Sequence, residues 1–315
     1  MTVESIYNAS VQTWQSSRNG SVHPATAAEV MEAAGLTWKV ELVPAYAEGQ
    51  PIPGTRAVVR SDRREPIAVV GKRYAPVQNT DAFAFFDDLV GAGKAVYETA
   101  GALDRGRRIW LQARLPEDVW VTDQDNVGKY LTLTNSHDGG GALRALFTPK
   151  RIVCKNTFLA ALREAGKTGI SIRHVGDVLG RAKEAERLLG ISIKYFDTFG
   201  EQAQAFAHRE MLKHAAARYF EELVPDPKDG DPARAGKTRE TLERLFEAGK
   251  GNALPGVRGT LWGALNAVIE YVDHERPTRL HEGDSAAEKR FESALFGSGA
   301  QLKERAWSLA LDLVS

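Results

Sequence analysis

The spacing of apolar positions changes character twice along the chain. After an N-terminal arm and a short helix, begun near Pro24 and Thr26 and ended by AAGL (33 to 36), Trp38, Val40 and Leu42 alternate with Lys39, Glu41 and Val43, the signature of a half-buried strand. A Gly- and Pro-rich segment, AEGQPIPG, reads as a loop. Residues 55 to 60 (TRAVVR) and 66 to 74 (PIAVVGKRY) predict a hairpin across SDRRE, and Asn79 or Thr80 is the expected N-cap of a helix with Phe83, Phe86 and Val90 at helical spacing. Further strands are expected at 95 to 100, 107 to 115, 129 to 135 and 142 to 148, the last two joined by SHDGGG, a strong hairpin signal. The run RIVCKNTFLAALREAG then reads as a short strand that turns at Asn156 into a helix with Phe158, Leu159 and Leu162 inward.

From about residue 176 the period is helical, over 177 to 207, 209 to 223, 238 to 248, 260 to 275 and 288 to 313. The intervening 225 to 237 (PDPKDGDPARAGK) reads as a linker or mobile loop. The fold expected is therefore α+β, a twisted antiparallel β-meander with packed helices followed by a mostly helical C-terminal region. The domains expected are 1 to 35 (arm and short helix), 36 to 175 (core) and 176 to 315 (helical).

Composition sharpens this picture in one place. The 315 residues are 43% apolar and 26% charged, a folded chain with length for one large domain or two modest ones. Forty-one basic side chains balance forty-one acidic ones, but residues 51 to 175 carry a net charge of +6 against −3 on either side. A polyanion site is expected in that middle segment. The single cysteine, Cys154, excludes intramolecular disulfides, thiolate zinc sites and CxxC redox chemistry, and fits a cytoplasmic location. The N-terminus lacks a basic stretch followed by an apolar run, and no eighteen apolar residues occur together, so neither export nor membrane insertion is expected.

The usual catalytic fingerprints are incomplete. Gly166-Lys167-Thr168 and Gly236-Lys237-Thr238 end like phosphate-binding loops, yet Ala161 and Asp231 stand where the leading glycine belongs. There is no GxGxxG, HExxH or nucleophile context, so no cofactor, metal or catalytic residue is assigned. Glu270, Asp273 and His274 share a helix and read as a cation site or, more simply, a solvated face with a local ion pair. His137 and Asp138 in the SHDGGG turn read equally as a substrate or phosphate contact and as plain turn chemistry.

Strand faces carry the most information. Ile109, Leu111, Ala113 and Leu115 form one face of their strand, and Arg108, Trp110, Gln112 and Arg114 the other. Tyr130, Thr132, Thr134, Ser136, Arg144 and Thr148 fall on the same polar side, with Arg56 and Arg60 on the first hairpin. Arginines to track phosphates and Trp110 and Tyr130 to stack bases make this the expected nucleic-acid face; the alternative is a sheet rich in Arg and Thr for solubility. Lys150, Arg151 and Lys155 add positive charge, and Asn156 opens a helix whose free amides suit a phosphate.

At these residues the sequence resembles a known family. The run NSHDGGGALRALFTPKRIVCKNTFLAAL is similar to the signature of the phage/plasmid-like proteins that carry domain of unknown function 932. LTWKVELVPAY, GKRYAPVQNTDAFAFFDDLV, GRRIWLQARLP, LPGVRGTLWGALNAVIEYVDHERP and LFGSGAQLKERAWSLAL extend the likeness over most of 36 to 313. In element order the chain is also similar to the single-strand annealing superfamily of phage RecT-type recombinases and eukaryotic Rad-type annealing proteins, which form rings or filaments around single-stranded DNA. That likeness implies single-stranded DNA binding, ATP-independent annealing in phage or plasmid recombination, and a homo-oligomer. The alternatives are a substrate- or metal-binding enzyme centred on His137 and Asp138, and a mobile-element protein that binds a host protein. The apolar stripe Leu261, Leu265, Val268 and Val272, flanked by Trp262 and Ile269, needs cover either from a second copy or from its own subunit.

Overall fold

The structure, a computed structural model, describes residues 6 to 8, 26 to 90, 95 to 139, 143 to 151, 170 to 171, 178 to 229, 231 to 280 and 286 to 315. In chain order these form β1 (Ile6–Asn8), α1 (Ala27–Ala33), β2 (Val40–Ala47), β3 (Gln50–Arg60), β4 (Pro66–Gly71), α2 (Asn79–Val90), β5 (Val96–Leu103), β6 (Arg108–Arg114) and β7 (Val119–Thr122). There follow β8 (Asp125–Ser136), β9 (Arg144–Arg151), β10 (Ile170–Ser171), α3 (Val178–His208), α4 (Lys213–Leu223), α5 (Ala233–Ala248), α6 (Leu261–Glu270), α7 (Ala286–Phe296) and α8 (Ser298–Asp312). The expected α+β class, with a mostly helical C-terminal region, is what the structure has. No helix among the described residues is long and apolar enough to cross a membrane.

Contacts divide the chain into two compact units. The first comprises Met1–Pro116, Tyr130–Phe147 and Gly169–Ser192, the second Glu117–Lys129, Thr148–Thr168 and Ile193–Ser315. In the first, β2, β3 and β4 make one antiparallel sheet; the other sheet has the order β1, β5, β6, β8, β9 and β10, with β8 from Tyr130 on and β9 up to Phe147 belonging to this unit. The pairing of β6 with β8 sets Trp110 opposite Thr134, Gln112 opposite Thr132 and Arg114 opposite Tyr130. Thr26 caps α1 in a capping box with Glu29, and the Asp87 carboxylate accepts both the Ala27 amide and the Tyr97 hydroxyl at 2.7 Å. Phe83, Phe85 and Phe86 of α2 supply a fully buried apolar face.

AEGQPIPG is not a loop. Strands β2 and β3 continue through it and reverse at Glu48 and Gly49, both at positive φ (50° and 78°), as a two-residue hairpin turn demands. Its prolines are tolerated because β4 pairs only with Thr55–Val59, which leaves that end of β3 an edge. The hairpin of β7 and the start of β8 was likewise not expected, and the expected single helix over 288 to 313 breaks at Gly297 into α7 and α8. Part of the 225 to 237 linker is helical, since α5 begins at Ala233. The predicted helix after Asn156 lies outside the described residues.

In the second unit α6 is the central element, every one of its residues being buried. Trp262 Nε1 donates to Asp125 Oδ2 at 2.8 Å, and Phe199 stacks on Trp307 with centroids 5.1 Å apart. Leu261, Leu265, Val268 and Val272 are each 1% exposed or less, so the stripe is enclosed within the monomer and supplies no assembly surface. Glu270 is no solvated acid. It is buried, accepting the Lys250 and Gly251 amides at 3.0 and 2.9 Å, while Asp273 pairs with Lys303. Among the described residues no group of three His, Cys, Asp or Glu side chains is arranged to hold a metal.

Candidate functional site

The polar side of the β5–β6–β8 ladder is not open. Trp110 is 5% exposed and Tyr130 3%, and Gln112, Thr132 and Thr134 are buried with them. Gln112 Nε2 donates to Thr132 Oγ1 at 2.9 Å, so the polar atoms satisfy one another beneath cover. Alternation assigns residues to faces but does not reveal whether a polar face is covered. The expectation that Trp110 and Tyr130 stack bases from an exposed sheet is therefore corrected.

Arg60 is corrected for a different reason. At 2% exposure its guanidinium donates to both oxygens of Asp62, at 3.1 and 2.8 Å, and to the Arg105 carbonyl at 3.1 Å, while lying 4.4 Å over the Trp38 ring. Those hydrogen bonds hold the Asp62 carboxyl below its ordinary range. The group is a structural rivet with no face left for a phosphate. Gly106 makes it possible: at φ 97°, a Cβ here would lie 3.0 Å from Trp38 Cη2 and 3.2 Å from Arg60 Cδ. Gly106→Ala is expected to cost about 1–3 kcal/mol, checked by urea unfolding.

The other cations divide by strand. Arg56 on β3, Arg114 on β6 and Arg144 on β9 are exposed, whereas Arg108 and Lys150 are half-buried. Arg151 ends β9. Lys155 and Asn156 lie outside the described residues. Most of the positive surplus follows the same direction, because residues 148 to 175 hold six basic side chains and one acidic one.

His137 and Asp138 sit at the turn after β8, where His137 is fully buried. Its amide donates to the Arg107 carbonyl at 2.7 Å, and its ring meets Trp38 edge-on at 5.5 Å. Nε2 lies 3.0 Å from Asn79 Oδ1. Asn79 Nδ2 already donates to the Leu36 and Trp38 carbonyls, so Oδ1 is the acceptor and Nε2 carries the proton. Nδ1 then presents a buried lone pair with no hydrogen-bond partner among the described residues. Burial lowers the imidazole pKa to about 4; Asp138 raises it and Arg60 lowers it further, so the ring is neutral in the folded chain. Asp138 accepts the Ser136 hydroxyl within the turn, and Tyr74 Oη donates to the Ser136 carbonyl at 3.3 Å.

This arrangement ties the turn to α2 and to Trp38, just ahead of β2, and it gives His137 a packing role. Asn79 is not the side-chain N-cap expected of it but the link between these elements. No local signal marks this, because the partners are 58 residues apart in sequence.

The family model described as Domain of unknown function (DUF932) matches residues 66–295. The chain belongs to that family. No curated protein and no solved structure matches it.

Proposed function

We propose that this chain binds single-stranded DNA and anneals complementary strands without ATP, in recombination on phage or plasmid elements. The observation that supports the reading best is the concentration of charge at and beyond the end of β9: six basic residues against one acidic between 148 and 175, Lys150, Arg151 and Lys155 among them. Arg114 and Arg144 of the β-rich unit are exposed and add positive charge to it. With Trp110 and Tyr130 enclosed, the proposed contact is to the phosphodiester backbone, which leaves Watson–Crick edges free to pair. Assembly into a ring or filament in the cytoplasm would provide a continuous groove, and such assembly must use surfaces other than the enclosed α6 stripe.

Annealing of two complementary oligonucleotides, followed by fluorescence quenching, tests the activity. The reaction is expected to proceed without nucleotide and in the presence of a chelator. A strict requirement for ATP or a divalent metal would contradict the proposal and favour an enzyme.

A further inference from the structure

The three-stranded sheet has two edges, and only one of them is blocked. On β2 the Val40 amide donates to Gln78 Oε1 and the Val40 carbonyl accepts Gln78 Nε2, each at 3.0 Å, and Pro44 has no amide to offer. The end of β3 that runs past β4 carries Pro51 and Pro53. These are the usual ways in which a sheet refuses a further strand.

Strand β4 (PIAVVG) has no such protection beyond Pro66 at its start. The Lys72 amide donates to the Gly54 carbonyl at 2.9 Å, so the alternation of the antiparallel ladder turns Arg56 and Val70, and Val58 and Ala68, toward each other. Val69 and Gly71, between them, point their amides away from β3. Among the described residues neither amide has a hydrogen-bond partner, nor has the Val69 carbonyl, and β4 pairs with β3 alone. The space beside them is open: Val69 is 63% exposed, and a Cβ on Gly71 would meet nothing within 4 Å.

Charge says what fits there. Arg56, opposite Val70, and Lys72 and Arg73, which follow the strand, are exposed and have no acidic partner among the described residues. Self-pairing is opposed, because antiparallel β4 strands of two copies would set Lys72 and Arg73 of each against Arg63 and Arg64 of the other, with Glu65 the one acid between.

We propose that β4 is a docking edge for an extended segment of another protein, acidic at its N-terminal end and β-branched after it, which adds as a fourth antiparallel strand. Its main chain meets the Val69 amide and carbonyl and the Gly71 amide, an apolar side chain covers Val69, and its acids lie beside Lys72 and Arg73. The edge is independent of the nucleic-acid reading.

Fluorescence anisotropy of the full chain with a labelled synthetic peptide, DEVTVTV, tests this. Binding is expected to saturate below about 1 mM and to be at least about fivefold tighter than that of KKVTVTV. Val69→Pro removes an amide the sheet does not use, and is expected to fold and to weaken DEVTVTV binding at least about tenfold. If V69P does not fold, the exposed pair Lys72→Glu with Arg73→Glu serves, and is expected to reverse the preference between the two peptides. No saturation, equal affinity for the two peptides, or unchanged binding in a folded variant overturns the proposal. So does a dimer of the free chain that V69P abolishes, since the edge would then belong to a second copy.

Discussion

Lys303→Met is expected to destabilise the chain by about 3–5 kcal/mol, read as a fall in urea midpoint by circular dichroism. The Lys303 side chain on α8 is 1% exposed and pairs with Asp273, itself only 10% exposed, in the π-type turn Tyr271–Glu275 that follows α6. Burial lowers the ammonium pKa, and Asp273 opposes that by charge and hydrogen bond. Removing the lysine takes from a largely buried carboxylate the cation paired with it, and Asp273→Asn takes the counter-charge from a buried ammonium. Replacing both by apolar residues of similar volume is expected to cost less than the sum of the singles, since no charge is then left alone. Close packing makes the position unforgiving: a Cβ on Gly299 would lie 2.8 Å from Val272 Cγ1.

Acid is expected to weaken the first unit through His137. The folded ring titrates at about 4 against an ordinary 6.5, so between those values the unfolded chain binds a proton that the folded chain refuses. Stability is therefore fully present above about pH 6.5 and falls as pH drops toward 4, by about 3 kcal/mol over the window at 1.36 kcal/mol per unit. Asp62 acts in a lower range, because its depressed pKa costs stability only as pH falls below the ordinary carboxylate value of 3.8. His137→Gln is expected to be less stable at pH 7 and to show a much flatter dependence between pH 6.5 and 4. Parallel pH curves for the two proteins would remove His137 from this role.

The elements of the fold were largely legible because each strand and helix carries its own apolar period. The β6 and β8 alternation gave their pairing faces, and Phe83 and Phe86 gave the inner side of α2. What escaped reading depends on neighbours. Pro51 and Pro53 look like breakers unless the absence of a partner strand beside them is known. Gly297 interrupts a continuous apolar period without changing it. The site was less legible for the same reason. Arg60, Trp110 and Tyr130 have the residue types of a nucleic-acid surface, yet Asp62 and the Arg105 carbonyl consume the first, and cover over the sheet encloses the other two. The charge surplus between 148 and 175 depends on no neighbour, and it survives as the strongest support for the proposed function.

A fluorescence-anisotropy titration of a labelled single-stranded oligonucleotide over a salt series tests that function most directly. If four to six phosphates are neutralised per subunit, affinity is expected to fall with a log–log slope of roughly −3 to −4, single strands binding more tightly than duplex. Replacing Lys150, Arg151 and Lys155 together with glutamine is expected to reduce the slope by about 2 and weaken binding correspondingly. No binding at low salt by the folded full-length chain, or an unchanged slope in the triple variant, would contradict the account.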